Sequence, residues 1–143
     1  MAQLNTYLTF DTTCAEALRF YERVLDGKIS MMMKVADSPM AGQTPPGTEN
    51  LIMHATLEFG GNVLMASDNM SGQAYQGMHG FTMSLSYDTV AQGKPVFDAL
   101  ADGGRIDMPL QETFWAEGFG MLTDRFGTPW MVNCGTKPAK PEA

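Results

Sequence analysis

The sequence predicts an α+β fold made of two βαβββ modules, which together form a cupped, barrel-like mixed sheet with the helices on the outside. Two observations carry this prediction. Residues 8–29 return at residues 85–106 at a constant offset of 77, so that Leu8 meets Leu85 and similar residue types follow. Each copy also belongs to the same series of patterns: an alternating strand, a helical stretch and three further strands.

The repeat fits only twice in 143 residues, a length typical of one domain. We therefore expect a single domain over residues 1–136, composed of modules 1–68 and 78–136. Residues 137–143 are polar and contain proline, and they are expected to form a disordered tail.

Composition argues against several function classes. The formal net charge of -7 repels phosphate backbones, so we expect no nucleic-acid partner. No apolar run approaches the length of a membrane span, and the first ten residues lack a secretory signal pattern, so a cytoplasmic protein without a membrane partner is expected. Cys14 and Cys134 are too few for a disulfide framework and are expected to be free, packed thiols.

Module one should contain one helix and four strands. Thr13 and Glu16 have the spacing of a capping box, so the helix is expected to begin there, and Gly27 fits its C-terminal cap. Residues 36–50 hold three prolines and two glycines and should form a loop. The strands are expected at residues 4–10, 29–35, 51–59 and 63–67.

Module two repeats this order after a linker rich in Gly, Ser and Asn. Pro95 favours a helix that starts near Gly93. Proline has no amide hydrogen, and in the first turn of a helix that hydrogen would have no partner within the helix. A turn is expected at residues 124–127. The strands are expected at residues 81–87, 106–111, 114–124 and 128–134.

Side chains alternate along a strand, so the sheet face turned away from the helices can be predicted. That face is mostly polar, and in a single open sheet it would simply be solvated. If the two sheets curl toward each other, the polar faces instead line one cavity suited to a small polar ligand. The face comprises Asn5, Tyr7, Thr9, Ile52, His54, Thr56, Glu58, Thr82, Ser84, Ser86, Met131 and Asn133.

Three segments carry a resemblance to a known family: AEALRFYERVLDG, HATLEFGGNVLMASD and, most specifically, QETFWAEGFGMLTDRFGTPWMVN. With the βαβββ repeat, they resemble the PhnB-like branch of the vicinal oxygen chelate superfamily, which includes glyoxalase I, bleomycin resistance proteins and extradiol dioxygenases. The resemblance covers residues 3–135. It implies paired modules, a cupped sheet around a small-molecule site, and a homodimer whose halves complete each other's cups.

In metal-dependent relatives, the first and third strands of each module supply the metal ligands. Matching strands by the resemblance and by the offset of 77 places these positions at Asn5, His54, Thr82 and Met131. Neutral Asn and Thr are poor ligands for zinc or nickel, and a Met thioether suits softer ions, so only His54 is a good ligand. We therefore predict no metal and no other cofactor; a divalent metal site completed by His79 or Glu117 is the alternative.

His54 is the best candidate for a catalytic residue, because a histidine readily exchanges protons near neutral pH. A structural hydrogen bond across the sheet is the competing interpretation. Trp115 could stack on a ligand or line the dimer seam, although core packing has equal weight. The predicted ligand-binding residues are Asn5, His54, Thr82, Trp115, Glu117 and Met131.

The expected function is that of a PhnB-like protein that binds a small polar molecule, with or without turning it over. One alternative is a metal-dependent lyase, isomerase or dioxygenase. Another is a resistance-type protein that sequesters a toxic compound. A methyltransferase, suggested by labels attached to related sequences, is disfavoured because the chain lacks a glycine-rich strand-to-helix nucleotide loop.

Overall fold

The computed structural model describes residues 1–138, and the chain divides into two compact units, Met1–Gln76 and Gly77–Ala143. Each unit contains one α-helix and one four-stranded mixed sheet, which confirms the two βαβββ modules. Over the described residues the strands form two separate sheets rather than one closed barrel. The single domain over residues 1–136 and the shared cup stay predictions. No helix in this part of the chain is long and apolar enough to cross a membrane.

The first unit consists of a helix packed on one face of a sheet. The helix is α1 (Cys14–Val24), and the strands are β1 (Thr6–Phe10), β2 (Lys28–Lys34), β3 (Ile52–Phe59) and β4 (Asn62–Asp68). The strand order is β1-β4-β3-β2, with β1 parallel to β4 and the other pairs antiparallel. A short 3-10 helix, Val35–Asp37, opens the connection between β2 and β3. The core contains Leu8, Phe10, Ala17, Leu18, Tyr21, Ala55, Leu57, Leu64 and Ala66.

The second unit has the same arrangement. Its helix is α2 (Val90–Ala101), and its strands are β5 (Met83–Tyr87), β6 (Arg105–Gln111), β7 (Ala116–Thr123) and β8 (Pro129–Thr136), in the order β5-β8-β7-β6. All predicted strand ends lie within two residues of the observed ends. The predicted turn at residues 124–127 is confirmed, because the Gly127 amide donates to the Asp124 carbonyl at 3.0 Å. The core contains Phe97, Leu100, Leu122, Trp130, Val132 and Cys134.

The predicted starts of both helices need correction. The Thr13 side chain makes no capping bond; the Asp68 carboxylate accepts from the Cys14 amide at 2.9 Å instead. Helix α2 starts at Val90 rather than near Gly93, because Thr89 forms a complete capping box with Gln92. Pro95 therefore lies inside the helix.

Gly27 was predicted as a helix cap, but its role is different. The residue with left-handed backbone geometry is Asp26, at φ 52°, and Gly27 is absent from the positive-φ positions. A Cβ atom on Gly27 would lie 2.8 Å from the Glu58 carbonyl oxygen and 3.0 Å from the Phe59 Cβ. Glycine is therefore required because the chain passes close to the end of β3.

Ile52 was predicted on the polar face and lies in the core, with 2 % of its surface exposed. The pairing of β2 with β3 shifts between Met33↔His54 and Lys34↔Ile52, where β3 advances by two residues and β2 by one. Such a bulge reverses the alternation of side chains. The polar face therefore begins at His54.

The predicted tail is held at its first residue. The Lys137 amide donates to the Trp115 carbonyl at 2.8 Å, and its ammonium group donates to the Thr113 carbonyl at 3.0 Å. These bonds hold Lys137 against the segment that leads into β7. Residues 139–143 of the predicted tail lie outside the described residues.

Candidate functional site

The first sheet has one face covered by α1 and one face that we call the first open face, which carries Tyr7, Thr9, His54, Thr56, Glu58, Met65 and Ser67. Leu8, Ala55, Leu57 and Leu64 alternate with these residues and are buried, which defines the opposite side as the core. Cross-strand pairing places Tyr7, Met65 and Thr56 in one row over three strands. His54 lies one row further along β3.

A cluster of three side chains forms on the first open face. The Tyr7 hydroxyl lies 3.1 Å from His54 Nδ1, and the Thr56 hydroxyl lies 3.2 Å from His54 Nε2. The rings of Tyr7 and His54 stack, with 5.6 Å between centroids and an interplanar angle of 29°. Both nitrogens of the imidazole are therefore bonded to hydroxyl groups, and the ring orientation is held from two sides.

The cluster can offer a proton to a ligand in either neutral tautomer of His54. A neutral imidazole donates through one nitrogen and accepts through the other. If Nδ1 donates to Tyr7, Thr56 donates to Nε2 and the Tyr7 hydrogen is free; in the other tautomer the Thr56 hydrogen is free. When His54 is protonated, both ring nitrogens donate and both hydroxyl hydrogens are released. The cluster therefore suits a ligand with an acceptor oxygen, and most of all an anionic one.

The predicted site residues fall in different places. Asn5 precedes β1 and is exposed, and Thr82 precedes β5 and is half-buried. Met131 lies on β8, which is the fourth strand of its unit, whereas His54 lies on the third strand of the first unit. The structure places His54 and Asn5 in the first unit and Thr82 and Met131 in the second.

The predicted pairing of His54 with Met131 is wrong. The offset of 77 maps β1 onto β5 and β2 onto β6, but the connection that follows is 17 residues long in the first unit (35–51) and 4 in the second (112–115). Row by row, Met65 matches Met131, because each pairs with the first strand of its own sheet. Thr56 then matches Met121, and His54 matches Phe119.

Trp115 and Glu117 lie at the open face of the second sheet, which we call the second open face. The Trp115 indole donates to Asn133 Oδ1 at 3.2 Å, and its ring meets Phe119 edge to face, with 5.2 Å between centroids. Glu117 and Phe119 alternate on β7 with Ala116, Gly118 and Gly120, which are buried against the helix side. Trp115 is 37 % exposed, so the alternative that it packs in the core does not hold.

Sequence reasoning placed Tyr7, Thr56 and Asn133 on the polar face but did not select them as site residues. The signal for Thr56 was its position two residues after His54, which puts both side chains on one side of a strand. Nothing in the sequence reports that β1 and β3 share β4 as a neighbour. The contact of Tyr7 with His54 depends on that strand order, and the contact of Trp115 with Asn133 depends on the pairing of β7 with β8.

The thiols are not candidates for nucleophilic chemistry. Cys14 is fully buried, and burial together with the nearby negative charge of Asp68 raises the pKa of its thiol to about 12. Burial also raises the pKa of Cys134. The thiolate is the reactive form, so both groups are inert near neutral pH.

The residues present do not fit the divalent metal used by metal-dependent relatives. Among residues 1–138 no three His, Cys, Asp or Glu side chains lie together as a metal-binding group. His54 already bonds to a hydroxyl through each ring nitrogen. Its neighbours on the first open face are hydroxyl and thioether groups, which are weak ligands for zinc or nickel.

Comparison with known proteins gives consistent similarities along the chain. A model of the Glyoxalase/Bleomycin resistance protein/Dioxygenase superfamily matches residues 3–132. Protein YjdN of Escherichia coli K12 is 40% identical over 139 residues, which cover 91% of this chain and 93% of YjdN.

Solved structures give the same result. The crystal structure of protein PA1353 from Pseudomonas aeruginosa is 45% identical with a TM-score of 0.87, covering 94% of this chain and 98% of that one. A PhnB protein from Bacillus cereus, described as a putative 3-demethylubiquinone-9 3-methyltransferase, is 25% identical with a TM-score of 0.78, covering 93% and 99%.

Proposed function

Because the chain belongs to the glyoxalase/bleomycin resistance protein/dioxygenase superfamily, we propose that it binds a small polar molecule on the first open face, without the divalent metal of its metal-dependent relatives. The observation that carries the proposal is the His54 imidazole held between the hydroxyls of Tyr7 and Thr56. The ligand has an acceptor oxygen, because the cluster presents a hydroxyl hydrogen in every protonation state of His54. Asn5, Thr82, Trp115, Glu117 and Met131 remain predicted ligand contacts.

His54 is the residue that would turn binding into catalysis. An imidazole that exchanges a proton with a hydroxyl on either side can protonate or deprotonate a bound molecule. Tyr7 and Thr56 position the ring by fixing its orientation. The same cluster also serves a protein that only binds its ligand.

A metabolite screen by mass spectrometry tests the proposal. Wild type and His54→Ala are incubated with a metabolite extract, and both retained and consumed compounds are measured. We expect at least one oxygen-rich small molecule to be retained or consumed by wild type and not by His54→Ala. Thr6→Ala is the matched control, because Thr6 lies next to Tyr7 on β1 but outside the cluster. Equal behaviour of wild type and His54→Ala contradicts the proposal.

The fate of the ligand distinguishes a sequestering protein from an enzyme. A resistance-type protein releases the compound unmodified after denaturation, whereas an enzyme releases a product. Recovery of the unmodified compound in stoichiometric amount identifies sequestration. Appearance of a product that depends on His54 identifies catalysis.

The metal-dependent alternative is tested by elemental analysis of protein purified without an affinity tag. The donor groups near His54 predict less than stoichiometric zinc, nickel, iron or manganese. One metal ion per chain, lost in His54→Ala, would overturn the metal-free proposal.

The methyltransferase named for the Bacillus cereus protein is not proposed for this chain. The turns from strand to helix, residues 11–13 and 88–89, contain no glycine, so neither forms the usual nucleotide-binding loop. Calorimetry with S-adenosylmethionine is expected to show no binding.

We also propose a cytoplasmic homodimer, which the resemblance to PhnB-like proteins supports. Sedimentation equilibrium is expected to give twice the chain mass of 15.6 kDa. A monomer at all accessible concentrations would contradict the dimer.

A further inference from the structure

A second candidate binding site lies on the second open face, and its frame is the turn from Glu112 to Ala116, here the aromatic turn. Thr113 closes this turn: its amide donates to the Ala116 carbonyl at 3.0 Å, and its hydroxyl accepts from the Ala116 amide at 3.1 Å. Lys137 holds it from outside through the Thr113 and Trp115 carbonyls. The aromatic turn is therefore fixed before any ligand arrives.

The aromatic turn presents ring surface rather than a hydrogen-bond donor. The single donor of Trp115 is used by Asn133, whose amide nitrogen in turn donates to the Thr136 hydroxyl at 3.2 Å. Phe114 meets Trp115 edge to face at 4.7 Å and is 84 % exposed. What Trp115 offers to a ligand is the negative face of its indole ring.

A carboxylate with no partner lies on the same open face, two residues before Phe119 on β7. Among the described residues, Glu117 makes no hydrogen bond and no ion pair. Its side chain lies across Gly135, where a Cβ atom would come within 2.6 Å of Glu117 Oε2. Gly135 has a φ of 63°, which also favours glycine there. The carboxylate is thus held against the sheet, between Trp115 and Phe119 in sequence and on the same side of β7 as Phe119.

We propose that Trp115 and Glu117 bind a planar aromatic cation, while Phe119, which is only 9 % exposed, supports the indole ring. An indole face attracts a cation through its quadrupole, and an adjacent carboxylate adds a direct charge interaction. The chain as a whole carries a net charge of -7, which attracts cations over longer distances. The ammonium group of Lys137, which donates to the Thr113 carbonyl, is paired with Glu112 at 3.0 Å.

This proposal does not rest on the proposed function. The site uses no residue of the Tyr7, His54 and Thr56 cluster, and it lies on the sheet of the other unit. Loss of ligand binding in His54→Ala and loss of cation binding at Trp115 are therefore different results. Either proposal can fail while the other holds.

Nitrogen-15 NMR of the full chain tests the proposal with N-methylquinolinium as the probe. The chain has two tryptophans, so two indole N–H signals are expected. The Trp130 indole donates to Asp124 in the core and serves as the internal control. We expect N-methylquinolinium to shift the Trp115 signal saturably and to leave the Trp130 signal unmoved. Quinoline at pH 8, the neutral ring of the same shape, should bind about tenfold more weakly.

Variants separate the ring from the charge. Trp115→Leu, which lacks the reporting indole and is followed through the proton signals of the probe itself, should abolish probe binding. Glu117→Gln should lower the affinity for N-methylquinolinium about fivefold while leaving that for quinoline unchanged. Glu58→Gln, which removes an exposed carboxylate from the first open face, is the matched control and should change neither affinity. An unmoved Trp115 signal, equal affinities for the two rings, or an unchanged affinity in Glu117→Gln would each overturn the proposal. An unmoved Trp130 signal in each variant reports an intact core.

Discussion

Asp124 belongs to the motif that most resembles the family, and its contacts are structural. The carboxylate is 3 % exposed and accepts from the Phe126 amide at 2.9 Å, the Thr128 amide at 3.0 Å and the Trp130 indole at 2.9 Å. A buried carboxylate needs such donors to replace water. Asp124 thus closes the turn before β8 and orients Trp130 in the core.

Replacing Asp124 should be strongly destabilising. Asp124→Ala leaves two amides and one indole N–H without this acceptor, so we expect the free energy of unfolding to fall by about 3 kcal/mol or more. Chemical denaturation measures the loss. The control is Asp102→Ala, which removes a carboxylate that is 80% exposed and paired with Arg125 at 3.2 Å, and should cost less than about 1 kcal/mol. Equal losses for the two variants would show that the bonds of Asp124 contribute little.

The raised pKa of Cys14 predicts both its reactivity and a dependence of stability on pH. Burial and Asp68 raise the pKa from 9.0 to about 12, so the folded protein keeps the proton after the unfolded chain has lost it. The stabilisation from this group is complete below pH 9 and is lost as the pH rises from 9 toward 12.

Two measurements check this expectation. A thiol reagent at pH 8 should label Cys14 only after denaturation. The fall in unfolding free energy between pH 8 and pH 10.5 should be smaller in Cys14→Ala than in wild type. Taking the difference between the two proteins cancels the contribution of the other titrating groups. Rapid labelling of Cys14 in the folded protein, or identical pH profiles, would contradict the raised pKa.

The sequence predicted the local environment of single residues but not the contacts between residues that lie far apart in the chain. His54 was identified correctly as lying on the polar face because alternation is local. Its partner Tyr7 lies 47 residues away, and the Asp68 carboxylate that caps α1 lies 54 residues from Cys14. No periodicity reports such pairs, because they arise from the order of the strands in the sheet.

At the scale of elements, the two helices begin with the same sequence pattern and different contacts. Thr13-Cys-Ala-Glu16 and Thr89-Val-Ala-Gln92 both have the spacing of a capping box, but only the second forms one. In the first unit Thr12 adopts a φ of 69°, and Asp68 accepts the Cys14 amide. The sequence pattern is compatible with a capping box in both modules, and tertiary contacts determine that it forms only in the second.

The two threonines therefore form a matched pair. Thr89→Ala removes the hydroxyl that accepts from the Gln92 amide but keeps the Thr89 amide that donates to Gln92 Oε1, so we expect a loss of about 1 kcal/mol in unfolding free energy. Thr13→Ala removes a side chain without a capping bond and should cost clearly less. Urea denaturation of the two variants gives the comparison. A larger loss in Thr13→Ala would contradict the assignment of the caps.

Strand order and loop length explain which element predictions succeeded. Alternation and helical spacing are local properties, and they located eight strands and two helices to within a few residues. The equivalence of strands between modules depended on a constant offset, which the long connection after β2 breaks. Gly27 was predicted to cap a helix. It is needed instead because the chain passes close to the end of β3, and local sequence patterns do not report that contact.

For the whole molecule, the duplicated βαβββ architecture preserves the scaffold while the two open faces carry different groups. The first open face carries the hydroxyls of Tyr7 and Thr56 and the imidazole of His54. On the second open face, Met121 takes the position of Thr56 and Phe119 that of His54. The first and second open faces thus share the same strand arrangement but carry different side chains. The resemblance predicted the scaffold, and only the cross-strand rows show which residues are equivalent.

The donor groups also make a prediction for the stability of the whole protein. An ion that binds only the folded state raises the melting temperature by mass action. Since the side chains around His54 are hydroxyls and thioethers, millimolar zinc or nickel should change the melting temperature of wild type by less than about 1 °C, and chelation should leave it unchanged. Thermal unfolding of untagged wild type and His54→Ala, each with metal and with chelator, measures this. A rise of several degrees in wild type that is absent from His54→Ala would show a metal site built on His54 and would contradict the donor argument.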